Sequence, residues 1–345
     1  MTVKAVILVG GEGTRLRPLT YYSTKAMVPV LNRPFLEHLL RHLASHHIRE
    51  IVLAMGYKPD SIKSYFSHAD QLQTKLIYSI ESEPLGTAGA VKHAEQYLND
   101  TFFVFNGDVF TNLDLTAMLH FHKKNKAKIT IALTPVEDPT RFGIVETDAQ
   151  LRIRRFIEKP SRDQVTTNNI NAGVYILEKE VLEHIPAGKR VMFEHDVFPS
   201  LLAAGEPVFA YPTNAYWIDI GTLEKYRQLN WDLLTGKCPL SGFEASEFQI
   251  YKHCFNHPQV RTYGTVLIGE GCKIGRGVEL RGPAIIGAGC QIADCAIIER
   301  SILWQHVMVG KNATLKECIA TSNSYIPDNN TLEGVVVTPN IPVPQ

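Results

Sequence analysis

The residues best equipped for chemistry in this chain are cations beside glycines and carboxylates beside strands. Gly10-Gly11-Glu12-Gly13-Thr14-Arg15-Leu16-Arg17 sets three glycines and two guanidiniums in one short loop. Glycine lets backbone approach a ligand with no Cβ in the way and frees N–H groups to meet an anion. Arg15 and Arg17 add charge next to those amides, and Lys25 follows closely enough to fold back over the same group. Such a loop is a phosphate site. It lacks the Lys-Ser or Lys-Thr pair of a Walker loop, and Leu16 stands where the dinucleotide fingerprint needs a third glycine.

Two carboxylates stand out downstream. Asp108 closes the run Phe102-Phe103-Val104-Phe105-Asn106-Gly107, and Asp219 lies inside Tyr216-Trp217-Ile218-Asp219-Ile220. A carboxylate at the end of a buried strand, above a phosphate loop, suits a hard cation such as Mg²⁺. Burying an unpartnered Asp among aromatic and aliphatic neighbours is costly, and a shared metal relieves that cost. Asp108 and Asp219 are the expected pair. In Phe156-Ile157-Glu158-Lys159-Pro160, Glu158 can accept sugar hydroxyls while Lys159 neutralises a phosphate. Asn169-Ile170-Asn171-Ala172-Gly173 offers the directional, uncharged donors and acceptors that sugars require, and the small residues around Gly86 leave room for a flat base. His38, His42 and His46 recur along one side of a helix without a carboxylate or Cys at ligand spacing, and read as a solvated polar face. His253, Cys254 and His257 likewise lack a fourth ligand.

Those groups need a scaffold. Strand-like runs at 5–9, 51–54, 76–79, 102–105 and 129–133 alternate with helical patterns at 34–47, 61–67, 86–97 and 113–126. Alternation of this kind predicts a doubly wound, mostly parallel, Rossmann-like α/β sheet, with ligands gathered at the carboxyl ends of its strands. After an irregular stretch, Ile268, Ile274, Leu280, Ile286, Ile292 and Ile298 recur at steps of six, and the step resumes at Val309 and Leu315. A hexapeptide period means a parallel β-helix. About eight such repeats predict two to three coils, a structural or oligomerising cap rather than a second acyl-transfer enzyme. Cys272 and Cys290 would stack as small core residues. The expected division is a catalytic domain at 1–236, a linker at 237–261, and a β-helix with tail at 262–345.

Composition narrows the partners. Net charge is zero across 345 residues, so no basic field recruits nucleic acid. The basic run Lys123-Lys124-Asn125-Lys126 reads as a solvated helix end. No apolar run approaches membrane-span length, which points to a soluble, cytoplasmic protein. The six cysteines form no C-x-x-C pair, so reduced thiols are expected.

Taken in order, these stretches resemble the sugar-phosphate nucleotidyltransferases over about the first 230 residues. Within that family GTRLRPLT, EPLGTAGA, NNINAGVYIL and FEHDVFP are most similar to the mannose-1-phosphate guanylyltransferase branch, and the last third resembles the left-handed β-helix appended to many relatives. Two positions depart: Lys25-Ala26 replaces the common Lys-Pro, and Gly107 stands where the branch often has Ser. The resemblance implies transfer of a nucleoside monophosphate, with GTP favoured, to a sugar 1-phosphate, with mannose favoured. It also implies Mg²⁺ and a homo-oligomer. Uridylyl or thymidylyl transfer to glucose 1-phosphate is the alternative, and a non-catalytic nucleotide-sugar-binding regulator a further one. The implied nucleotide contacts are Leu8, Gly10, Gly11, Gly13, Thr14, Arg15, Lys25, Glu83, Pro84, Gly86, Thr87, Asn106, Gly107 and Asp108. The implied sugar-phosphate contacts are Gly143, Glu158, Lys159, Asn171, Ala172, Gly173 and Asp219. Arg15, Lys25, Asp108, Lys159 and Asp219 would be catalytic, with the metal on Asp108 and Asp219.

Overall fold

The computed structural model describes residues 3–21, 23–56, 59–67, 72, 74–240, 242–243, 250–251 and 260–339. Two compact units interleave along the chain. The first gathers Met1–Glu12, Thr24–Ala26 and His38–Asp219; the second gathers Gly13–Ser23, Met27–Glu37 and Ile220–Gln345.

In the first unit, β1 (Lys4–Leu8), β2 (Glu50–Met55), β3 (Lys75–Ile80) and β4 (Thr101–Asn106) are separated by α1 (Phe35–Ser45), α2 (Pro59–Phe66) and α3 (Gly86–His93). Ala5, Val6 and Ile7 of β1 are fully buried, the all-apolar signature of a strand covered on both faces. Next come β5 (Val109–Thr111), α4 (Leu115–Lys124), β6 (Ile129–Pro135), β7 (Gly143–Thr147), β8 (Ile153–Glu158), β9 (Asn169–Glu178), α5 (Phe198–Ala203), β10 (Val208–Pro212) and β11 (Trp217–Asp219). The nine-stranded sheet runs β8-β7-β9-β4-β1-β2-β3, with β6 paired to β9 and β10 to β6. Through β4-β1-β2-β3 the pairing is parallel. From β9 outward it turns antiparallel, apart from the parallel β10–β6 pair. The parallel half therefore presents four carboxyl ends along one edge.

The helix of the histidines corrects one expectation. Pro34 does not open it: Pro34 pairs with Pro29 in a short ladder, and the helix starts at Phe35. Nor is the polar side solvated. His38 and His42 are 2 % and 4 % exposed. The His38 ring meets the edge of Phe110, and His46 Nδ1 lies 3.0 Å from Thr116 Oγ1. Helical spacing reveals which side is polar, but not that a second layer of structure covers that side.

In the second unit the hexads wind into a parallel β-helix of three faces. One face stacks Val266–Ile268, Ala284–Ile286, Ile302–Leu303, Ile319–Ala320 and Val336–Val337. A second stacks Arg261–Tyr263, Glu279–Arg281, Ile297–Glu299, Thr314–Lys316 and Thr331–Glu333. The third holds four strands, from Lys273–Ile274 to Tyr325–Ile326. There are more coils than the two to three expected. From the pairing Ile285↔Ile302 onward each coil is one residue shorter, as Ile297↔Thr314 and Ile302↔Ile319 also show against Val266↔Ala284, and that slip hides the later hexads. Lys273 pairs with Gln291, which stacks Cys272 over Cys290; their thiols donate to Gly287 O (3.1 Å) and Trp304 O (3.0 Å). The described cysteines are free thiols, Cys295 exposed among them. α6 (Leu223–Leu234) belongs to this unit, where Tyr226 Oη donates to Pro29 O and accepts from Trp304 Nε1. His253, Cys254 and His257 lie outside the described residues.

Candidate functional site

At the carboxyl edge of β4-β1-β2-β3 the first unit opens a cavity of about 560 Å³, a size suited to a small-molecule ligand. Leu8, Val9, Gly10, Gly11 and Glu12 follow from β1; Ala54 and Gly56 from β2; Glu81, Ser82, Glu83 and Pro84 from β3; Asn106, Gly107 and Asp108 from β4. Gly86, Thr87 and Ala90 of α3, with Lys25 and Ala26, complete most of the wall. Parallel strands end on one side because each crossover returns the chain to the opposite edge, so four separate loops meet there. Gly107 is needed for closeness: a Cβ on it would collide with Leu8 O.

The carboxylate pair is set by a ladder. β5 and β11 pair antiparallel with Asp219 opposite Val109, the residue after Asp108. Trp217 holds that strand by donating Nε1 to Ala172 O at 2.9 Å. Asp108 Oδ2 and Asp219 Oδ1 then converge on one ammonium, Lys25 Nζ, at 2.9 and 3.3 Å. Lys25 is 12 % exposed and Asp108 37 %, so the cluster is shielded on the lysine side and open on the other.

Alongside, β9 carries a bulge where its pairing with β6 slips between Asn171 and Tyr175. Gly173 takes φ +71° there, and Asn171 braces the turn by accepting from Gly173 N (2.9 Å) and donating to Tyr175 Oη (2.8 Å). A Cβ on Gly173 would stand 2.8 Å from Asn106 Nδ2, so the bulge abuts the end of β4. Gly143 pairs with Glu158 across β7 and β8. Lys159 adopts a left-handed φ of 48° immediately before Pro160, held by its N–H to Phe142 O at 3.0 Å. Such strain persists only where the surroundings fix it. Burial raises the Glu158 carboxyl above its ordinary range, and the charge of Glu194 pushes the same way, against Lys159 and His195.

Known proteins resemble this chain in sequence and fold. The family model described as "Nucleotidyl transferase" matches residues 4–236, which is most of the chain. The chain belongs to the nucleotidyl transferase family. A second model, described as "GMPPB C-terminal domain", matches residues 262–343 of this nucleotidyl transferase. A Mycobacterium tuberculosis protein named mannose-1-phosphate guanylyltransferase is 39% identical over 86% of this chain and 83% of its own length. A Synechocystis protein named UTP–glucose-1-phosphate uridylyltransferase is 31% identical over 91% of this chain and 86% of its own. Among solved structures, HddC from Yersinia pseudotuberculosis complexed with GMP-PN aligns with TM-score 0.58 and 33% identity, over 66% of this chain and 98% of that one.

Members of this family generally use a divalent metal, and the donor set here fits one. Two carboxylate oxygens already meet at one cation's distance, and no cluster of three or more His, Cys, Asp or Glu among the described residues competes for a metal. Hard cations of small radius take one or two carboxylates and fill the remaining positions with phosphate oxygens and water. No helix among the described residues is long and apolar enough to cross a membrane.

The cavity wall of this nucleotidyl transferase differs in part from the sequence reading. Leu8, Gly10, Gly11, Lys25, Glu83, Pro84, Gly86, Thr87, Asn106, Gly107 and Asp108 line it; Gly13, Thr14 and Arg15 belong to the second unit and are not among its lining residues. Sequence reasoning missed Glu81, Arg190 and Met192. Glu81 had a signal, since it is an acid directly after a strand, as Asp108 nearly is. Burial raises its carboxyl, partly offset by the Leu85 N–H it accepts. Glu194 accepts from Thr87 Oγ1 at 3.0 Å, and Thr87 accepts in turn from Phe193 N at 2.9 Å. Arg190 and Met192 had no signal, because only folding brings that stretch to α3.

Proposed function

We propose that the chain transfers a guanylyl group from GTP to mannose 1-phosphate, with Mg²⁺ as the metal, giving GDP-mannose and pyrophosphate. The observation that carries this reading is the meeting of Asp108 and Asp219 on one ammonium, that of Lys25, where Lys25 and Asp108 line a glycine-walled cavity. Relatives named for the same reaction support it.

Both substrates are anions, so the barrier is largely repulsion and orientation. A sugar-phosphate oxygen, already ionised at neutral pH, forms the new bond to the α-phosphorus. The bond from that phosphorus to the β-phosphate oxygen breaks, and pyrophosphate leaves. No general base is required. Bound on Asp108 and Asp219, Mg²⁺ would supply neutralisation of the charge shared between the two phosphates. Lys25 supplies a second cation for the triphosphate, while the amides of Gly10 and Gly11 cradle it. Lys159 grips the sugar phosphate, and Glu158, Asn171 and the backbone at Gly143, Ala172 and Gly173 receive the sugar hydroxyls. Arg15 enters on the resemblance alone, as a partner of the departing pyrophosphate. At the base, a carboxylate such as Glu81 accepts from guanine N1–H and the N2 amine, whereas adenine offers neither donor there.

A second reading, uridylyl transfer to glucose 1-phosphate, is favoured by the Synechocystis relative. A matrix of four nucleoside triphosphates against mannose and glucose 1-phosphates, read as pyrophosphate release, separates the two. GTP with mannose 1-phosphate is expected to give the highest kcat/KM. Equal or faster turnover with UTP or dTTP would replace this reading, and silence across the matrix would indicate a binding protein without turnover.

A further inference from the structure

We propose that Arg190 reads the purine base, donating to guanine O6 and N7 while Glu81 takes the N1–H and N2 amine edge. This rests on the guanylyl reading above and adds a specificity residue to it.

The position of Arg190 is fixed by its neighbours. Val191 N donates to Leu85 O at 2.9 Å, and Ala88 N and Gly89 N donate to Val191 O at 3.0 and 3.1 Å. A Cβ on Gly86 would stand 2.6 Å from Val191 O, and one on Gly89 2.6 Å from Lys189 O. The strap from Lys189 to Met192 therefore lies directly on the first turn of α3, and its Arg190 lines the cavity.

Glu81 follows β3 and holds Leu85 N on Oε2 at 2.8 Å, so Glu81, the start of α3 and the strap form one connected patch. Asp108 follows β4, and the order β4-β1-β2-β3 places three strand spacings, roughly 14 Å, between the two edges. Glu81 Oε1 also comes within 4.0 Å of where a Cβ on Gly10 would stand, so this patch adjoins the glycine loop. Pro84, Ala90 and Met192 line the same cavity, and apolar surfaces of that kind suit a flat ring rather than an anion.

Among the described residues Arg190 has no hydrogen bond or ion pair, so its donors are available to a ligand. Arginine meets guanine O6 and N7 through two parallel N–H donors. Glu81 brings the opposite charge for the adjacent donor edge. Adenine would turn an amine toward Arg190 and a lone pair toward Glu81, and would be refused twice.

The test uses the full chain with GTP and 7-deaza-GTP, in which carbon replaces N7. In the unmodified protein 7-deaza-GTP, which keeps O6, is expected to raise KM several-fold to roughly tenfold with kcat unchanged, the scale of one of the two hydrogen bonds of a bidentate contact. Arg190→Ala, which removes both hydrogen bonds, should raise KM for GTP by more than that and make the two nucleotides equivalent; Arg190→Lys should recover part of the loss. Losses from Arg190→Ala and 7-deaza-GTP that simply multiply would overturn the contact. Failure of the unmodified protein to use GTP would remove the guanylyl reading itself, which keeps the two failures distinct. Arg190 is exposed, so the variants are expected to fold, and an unchanged thermal transition checks this.

Discussion

Both units of this molecule are built on parallel strands, yet they use them in opposite ways. In the α/β unit, long crossovers between β1, β2, β3 and β4 leave four strand ends free on one edge, and each end carries a loop of chemically distinct residues. In the β-helix every connection is a short turn, and each strand lies directly on its copy in the next coil. Its inward positions are Ile298, Leu315, Leu332, Val309 and Ala313, all buried, while Met308 and Tyr325 on its surface are 43 % and 54 % exposed. Repetition fills a core; crossovers create a site. The contrast says that substitutions in one unit should act on rate and in the other on stability.

The sharpest way to break that division is at the carboxylate pair. Asp108→Asn keeps the shape but removes a charge from the cation site, and should lower kcat by ~10³ while leaving the thermal transition in place, the loss expected when one preorganised electrostatic group is removed. Loss of folding without loss of kcat would reverse the assignment. In the β-helix, Leu315→Ala removes a fully buried side chain between Ile298 and Leu332. It should cost about 3 kcal/mol in chemical denaturation, with kcat unchanged in the protein that remains folded.

A smaller effect comes from a group inside the α/β unit that takes no part in the chemistry. Burial, assisted by the charge of His46, lowers the His42 pKa from 6.5 to about 4. A histidine kept neutral in the fold contributes stability that is whole above the unfolded pKa and fades as pH falls from 6.5 toward 4. A tenfold change in proton affinity is worth ~1.4 kcal/mol, so up to roughly 3 kcal/mol is involved. His42→Gln should flatten the decline in denaturation midpoint between pH 6.5 and 4. An unchanged slope would mean that other groups carry the acid sensitivity.

The histidine helix shows where sequence patterns stop. Leu36, Leu39, Leu40 and Leu43 mark a buried stripe, and all four are buried. The other side looked wet because His38, His42 and His46 are polar, whereas Phe110 and Thr116 pack against that side. Likewise the hexads up to Ile298 announce the β-helix. The coil that loses a residue after them obscures how far it runs.

Sequence by itself determined the local chemistry: a glycine loop that follows a buried strand, acids that end or interrupt apolar runs, and a six-residue period. Each is written in neighbouring letters, because backbone freedom, strand burial and coil repetition are short-range properties. Tertiary structure alone decided which of those letters meet. Asp219 reaches Asp108 only through the β5–β11 ladder, and Arg190 reaches the cavity wall only because Val191 hydrogen-bonds to the start of α3. Contacts across such sequence distances depend on the order of strands in the sheet, which no local pattern encodes.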